Sequence, residues 1–170
     1  MRNQFIRSVL PAAALLALSG AAFAGTETSD LPVSATVAAS CTIDASGGLA
    51  FGAYDPIVVN KTTDLDAQGT ILTTCTNGST VTVTLGQGVN ADGASTDAAP
   101  VRRMVGASSN FLAYQLYTDN GRGTVWDNTT GSDVVGTGTA VSTPVYGRIV
   151  AGQNVAADSY NDTVVATITF

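Results

Sequence analysis

The chain contains no histidine, one lysine (Lys61) and one glutamate (Glu27) among its 170 residues. Without histidine the commonest general base is missing. No serine has a recognisable base partner, so enzymatic chemistry is not expected. Cys41 and Cys75 are the only cysteines, and with no histidine a metal site would lack a third ligand. Asp64-Leu65-Asp66 has neither the glycine nor the distal glutamate of a calcium loop, so no cofactor is expected. One lysine and one glutamate leave helices short of their usual formers, and no stretch repeats apolar residues at a 3.6-residue spacing. Basic residues adjoin only at Arg102-Arg103, which excludes a basic face for nucleic acid. No apolar run approaches the ~20 residues of a spanning helix, so no integral membrane segment is expected. No internal repeat or linker divides the chain.

The N-terminus reads as a secretory signal peptide over residues 1–24. Arg2 and Arg7 lie at a charged start, Val9 to Leu18 is apolar, and Ala22-Phe23-Ala24 has the small-x-small cleavage pattern. Removing 24 of 170 residues leaves 146, enough for one packed domain. That remainder keeps all 13 acidic residues against five of the seven basic ones, a net charge of −8. An exported chain with two cysteines most simply joins them in one disulfide. Closing a loop of that length stabilises by about 4 kcal/mol on the chain-entropy account.

The remaining signal is strand alternation. From Leu31 to Cys41 the odd positions are apolar (Leu31, Val33, Ala35, Val37, Ala39, Cys41), the pattern of an amphipathic strand. Pro32 cannot donate to a ladder, so pairing is expected after it. A short strand is expected over 49–56, a connecting loop over 57–66, and a strand over 70–75. Asn77-Gly78 gives a hairpin signal, followed by a strand over 80–85 with Val81, Val83 and Leu85 inward. A long surface loop spans 86–100, and a short strand 101–105. In the strand over 111–118, Leu112, Tyr114 and Leu116 share one face. Asn120-Gly121 turns the chain into a return strand at Thr124-Val125-Trp126, with Trp126 as a packing residue. A glycine-rich loop over 127–137 precedes a strand over 140–149, interrupted at Pro144. Residues 160–170 alternate again: Val164, Ala166, Ile168 and Phe170 on one face, Thr163, Val165, Thr167 and Thr169 on the other. Seven or eight short strands at this spacing predict an all-β sandwich. The last strand has no successor to pair with, so its partner is expected from another molecule.

Five groups of residues together resemble the spore coat protein U domain family, which includes pilin subunits of archaic chaperone–usher pili. They are Leu49-Ala50-Phe51-Gly52-Ala53-Tyr54-Asp55-Pro56; Cys75-Thr76-Asn77-Gly78; Leu112 to Tyr117 followed by Trp126; Val145-Tyr146-Gly147-Arg148-Ile149 with Gln153; and Tyr160-x-Asp162-Thr163-Val164 with Phe170. Asp158 departs from the pattern, because the family usually has a glycine before the tyrosine. The resemblance implies an incomplete immunoglobulin-like β-sandwich completed by a donor strand from a neighbouring subunit. It divides the chain into a signal peptide (1–24), a donor-strand segment (25–40) and a pilin domain (41–170). It implies Leu31, Val33, Ala35 and Val37 as donor residues, and Val164, Ala166, Ile168 and Phe170 as the acceptor groove and chaperone contact. Cys41 and Cys75 would staple the start of the domain. Burying Leu31, Val33 and Val37 would contribute roughly 5–8 kcal/mol gross. The partners implied are a periplasmic chaperone, an outer-membrane usher and neighbouring pilin subunits, with passage through the periplasm to a surface pilus serving adhesion or biofilm formation. One domain suits a shaft or adaptor subunit. The alternative from a different class is a self-complete secreted sandwich, a coat or surface ligand-binding protein, in which residues 31–39 fold back into their own domain.

Overall fold

The computed structural model describes residues 24–170. The signal peptide expected over 1–24 therefore lies, but for its last residue, outside the described residues. The chain divides into two units, Met1–Ala35 and Thr36–Phe170. The described part of the first has no strand, and its Leu31, Val33 and Ala35 are exposed.

The second unit holds eight strands: β1 (Cys41–Asp44), β2 (Leu65–Cys75), β3 (Thr80–Leu85), β4 (Arg102–Val105), β5 (Phe111–Tyr117), β6 (Ser132–Val135), β7 (Ala140–Ile149) and β8 (Ala166–Thr169). They form a five-stranded sheet ordered β1-β2-β7-β5-β4 and a three-stranded sheet ordered β6-β3-β8. All pairings are antiparallel. The fold is all-β and immunoglobulin-like, with the core between the two layers. Period-2 alternation sends Ile71, Leu112, Tyr114, Leu116, Val145 and Ile149 inward from the larger sheet, and Val81, Val83, Leu85 and Val134 from the smaller. Trp126 fills the centre, fully buried, and its indole Nε1 donates to the Val83 carbonyl at 2.9 Å. A disulfide joins Cys41 to Cys75, directly opposed across β1 and β2 with Cα atoms 4.1 Å apart.

Several local expectations change. Residues 31–40 carry no strand; Ala38 and Ser40 meet only Thr76, whose N–H donates to the Ser40 carbonyl at 2.9 Å, and strand begins at Cys41. Residues 49–56 carry no strand, with Gly52 at φ 79° and a turn beginning at Pro56. β2 starts at Leu65, because β7 supplies partners down to Ile149. The Asn77-Gly78 turn, with Gly78 at φ 79°, is not a hairpin: β2 and β3 lie in different sheets, so it is a corner between layers. The return strand at 124–126 shrinks to a bridge between Tyr117 and Val125, because Trp126 leaves the sheet edge for the core. The glycine-rich loop contains β6, whose Val134 is buried. β7 runs through Pro144 without interruption. β5 pairs only with Tyr146–Arg148 of β7, so at Pro144 the strand has a neighbour on one side, where a missing N–H is tolerated. The terminal strand narrows from 160–170 to β8.

Candidate acceptor groove

The open flank of the sandwich begins at two glycines. Gly69 of β2 and Gly147 of β7 occupy inner-face positions. A Cβ on Gly147 would lie 2.7 Å from Phe51 Cζ, and one on Gly69 would collide with the Gly48 carbonyl. Their missing side chains let residues 48–51 drape across the inner face of the larger sheet. This segment therefore lies in the layer of β8, β3 and β6. Tyr54 pins its far end: the hydroxyl accepts from Gln153 N at 2.9 Å and donates to the Val150 carbonyl at 3.2 Å. Phe51 meets Tyr114 edge-on, with ring centroids 6.0 Å apart.

Across the layer stands β8. It pairs with β3 through Thr82–Leu85. The pairing extends upstream, since Gly86 N donates to the Val165 carbonyl (2.9 Å) and Val89 N to the Thr163 carbonyl (3.0 Å). Odd-numbered residues thus turn their backbone groups toward β3. Even-numbered Val164, Ala166 and Ile168 turn theirs to the opposite edge, because donor and acceptor of one residue leave an antiparallel strand on the same side. Among the described residues nothing pairs with that edge. Nor does any hydrogen bond engage the backbone of Leu49, Ala50, Phe51, Gly52 or Ala53. Two unpaired edges face each other across a gap. Unpaired backbone beside an apolar core is a liability in a free domain.

The gap is a groove made of two contiguous cavities. The first, about 320 Å³, has Ile71, Leu85, Leu116 and Val145 in its floor and Val164 and Ala166 in its wall. The second, about 870 Å³, continues along Leu49–Tyr54 to Pro56 and Ile57 on one side and Asn154–Asn161 on the other. Leu49, Phe51, Met104, Tyr160 and Asn161 belong to both.

The polar support of the β8 lip is concentrated in Asp162. Its Oδ2 accepts from the Tyr114 hydroxyl at 2.7 Å, and its Oδ1 accepts from Asn90 N (3.1 Å) and Nδ2 (3.0 Å). Burial, reinforced by this bond to Asp162, pushes the Tyr114 phenol well above its usual range, so it stays a donor. Gly88, at φ 90°, makes room for the carboxylate, which a Cβ there would strike. Upstream, Asp158 receives Ser108 N at 3.3 Å and lies over Gly106, so the departure from the family pattern forms a local loop contact.

Of the residues expected at the site, Val164 and Ala166 line the groove. Ile168 packs half-buried on the core, while Phe170 is exposed. Val37, within the folded unit, is 82% exposed and belongs to no strand. The second lip, residues 49–53, is not reachable from periodicity, which gives only a strand there. The inward glycines 69 and 147 carry the signal for it, but only once the face of each strand is known. The Tyr114–Asp162–Asn90 contact joins residues 48 and 72 positions apart and has no local signature.

Comparison with known proteins places this geometry. The Spore Coat Protein U domain matches residues 27–167. Protein U of Myxococcus xanthus is 45% identical over 173 residues, covering 97% of this chain and 96% of that protein. Among solved structures, the CsuC-CsuE chaperone-tip adhesion subunit pre-assembly complex, from archaic chaperone-usher Csu pili of Acinetobacter baumannii, has a chain matching with a TM-score of 0.51 at 20% identity. That match covers 79% of this chain and 40% of the Csu chain, and it supports the fold. With its domain signature spanning almost the whole folded part and a close full-length relative, the chain belongs to the Spore Coat Protein U domain family.

Proposed function

We propose that this chain is a structural subunit of an extracellular pilus assembled by chaperone–usher donor-strand exchange. A strand supplied by another molecule fills the groove and pairs with both exposed edges. The observation that carries this is the unpartnered backbone of residues 49–53 and the bare outer edge of β8, with Leu49 and Phe51 of the one and Val164 and Ala166 of the other lining the same cavity. The donor is the segment 25–40 of a neighbouring copy, with Leu31, Val33, Ala35 and Val37 entering the groove. Val164, Ala166 and Ile168 meet them, and Phe170 closes over the end. Residues 41–170 then form the pilin domain, and residues 1–24 a cleaved signal that delivers the chain to the periplasm. A periplasmic chaperone covers the groove before an outer-membrane usher passes the subunit to the cell surface. The Csu complex, which pairs a chaperone with a pilus subunit, supplies the analogy for these partners. The fibre serves adhesion or biofilm formation.

The near full-length match to Protein U favours a second reading, a secreted coat protein whose own segment 31–39 completes the sandwich. Periplasmic expression with and without a candidate chaperone, followed by size analysis, separates the two. Strand exchange yields ladders of subunits that resist heat and SDS. Deleting residues 25–39 should then leave a folded, chaperone-bound subunit that forms no ladder. A lone monomer that needs no chaperone and unfolds on that deletion would establish the coat reading instead.

A further inference from the structure

The loop after the 49–53 lip ends in three consecutive large apolar side chains, Ile57, Val58 and Val59, exposed at 70%, 72% and 58%. The loop is held firmly from beneath. Buried Asn60 accepts Asp55 N on its side-chain oxygen (2.9 Å) and donates from Nδ2 to the Thr63 carbonyl (2.9 Å). Asp55 Oδ1 accepts the N–H groups of Ile57 (2.9 Å) and Val58 (3.0 Å). The Asn60 carbonyl accepts Gly152 N at 2.8 Å. A fixed loop that turns its apolar side chains outward marks a contact surface. Pro56 and Ile57 also line the larger cavity, so this tip stands at one end of the groove.

We propose that Ile57-Val58-Val59 seats the body of the next copy of this chain in the fibre, against the end of that copy where its N-terminal segment departs. The inference rests on the strand-exchange reading above. The departure end is fixed by Thr76 N, which donates to the Ser40 carbonyl at 2.9 Å beside the Cys41–Cys75 disulfide. It lies at the far end of β2 from Leu65, roughly 35 Å from the apolar tip at the rise of a strand. A copy that received its neighbour's strand at its own departure end would crowd two bodies onto one end. Entry at the Ile57–Val59 end keeps the two ends separate, and the contact repeats head to tail. With Val37 as the last donor residue, only residues 38–40 precede Cys41. They reach ~10 Å at most, which brings the next body against the groove end. It would present one exposed apolar side chain there, Val135 of β6, 58% exposed next to the Thr76–Ser79 corner.

The test uses the full chain assembled into SDS-resistant ladders. Both native cysteines are in the disulfide, so Val58→Cys and Val135→Cys introduce the sole free thiols. A short bismaleimide should join successive subunits in the double variant and in neither single variant. Val58→Ser/Val59→Ser, with the cavity-lining Ile57 left in place, should keep ladders but give shorter, more flexible fibres by electron microscopy. Ladders with no crosslink in the double variant, or a crosslink in either single variant, overturn the contact while leaving strand exchange intact. So does a serine variant with unchanged fibres that loses only its retention on a phenyl resin, because the tip would then serve an apolar surface. Absence of ladders in the unmodified chain removes strand exchange, and this inference with it.

Discussion

On the flank where β4 enters the sandwich, Arg102 is buried and every guanidinium nitrogen finds an acceptor. Nε donates to the Gly86 carbonyl at 2.9 Å, Nη1 to Gln115 Oε1, and Nη2 to the carbonyls of Leu85, Gly86 and Trp126 at 2.9, 2.7 and 2.8 Å. Burial pulls the guanidinium down to about 10, so it remains a cation at neutral pH. On the open flank, residues 49–53 have no backbone hydrogen bond among the described residues, and the outer edge of β8 is bare there too. The two flanks enclose the same core. One satisfies irregular backbone with a charged side chain from its own chain. The other leaves backbone unsatisfied, along β8 as the edge of a regular strand. Carbonyls that point in several directions need a custom partner, whereas a row of evenly spaced groups can be met by any strand. The open flank is thus a place beside the core where another molecule can finish the fold without side-chain recognition of its polar groups.

The closed flank can be broken most severely at Trp126. Trp126→Ala leaves a cavity at the centre of the core and strips the Val83 carbonyl of its donor. The expected cost is ~3–5 kcal/mol, read as a lowered midpoint in urea unfolding. A loss below ~1 kcal/mol would mean that the groove lets the core collapse around the gap, and the contrast between flanks would be weaker than drawn.

The difference between the flanks also decides what the sequence reveals. Alternation over 80–85 and 111–117 shows which side chains face inward, because one face is buried and a one-residue slip would expose it. The same rule reads the even positions 164, 166 and 168 correctly as facing the core. It fails at 49–53, where the sequence has the look of a strand but Gly52 stands at φ 79° and no neighbour pairs with the backbone. It fails at β6 because four residues between glycines give too short a pattern. Arg102 is invisible to it: beside Arg103 it reads as surface charge. Its burial depends on carbonyls up to 24 positions away in sequence, and no local period carries that information.

A smaller effect tests the solvent-facing side of the larger sheet, where Asp66 receives Arg148 Nε at 2.7 Å and Nη2 at 2.9 Å, with Arg122 Nε at 3.1 Å. The hydrogen bond from Arg148, helped by the Arg122 charge, holds the Asp66 carboxyl below its ordinary 3.8. A carboxyl depressed in the folded state stabilises fully above its unfolded value and loses that contribution as pH falls through the lower folded one. Asp66→Asn should therefore differ most from the parent above pH ~4 and converge with it toward pH ~2. The group is partly exposed, so the gap should stay at about 1 kcal/mol or below. Urea midpoints at several pH values measure it, and a gap that widens toward acid would reverse the assigned sign.

The smallest effect on stability is expected at the residues with the largest effect on assembly. Leu31, Val33 and Val37 are exposed. Leu31→Ser/Val33→Ser/Val37→Ser should leave the unfolding midpoint of the monomeric chain within about 0.5 kcal/mol of the parent, while SDS-resistant ladders disappear. Substitution on the receiving side separates the two consequences. Val164→Ser lines the same groove but touches the core, so it should lower the midpoint and weaken ladders together. A triple serine variant that unfolds as readily as Val164→Ser would show residues 31–37 stabilising their own domain. The groove would then be filled from within the chain, and the open flank would be closed in the monomer.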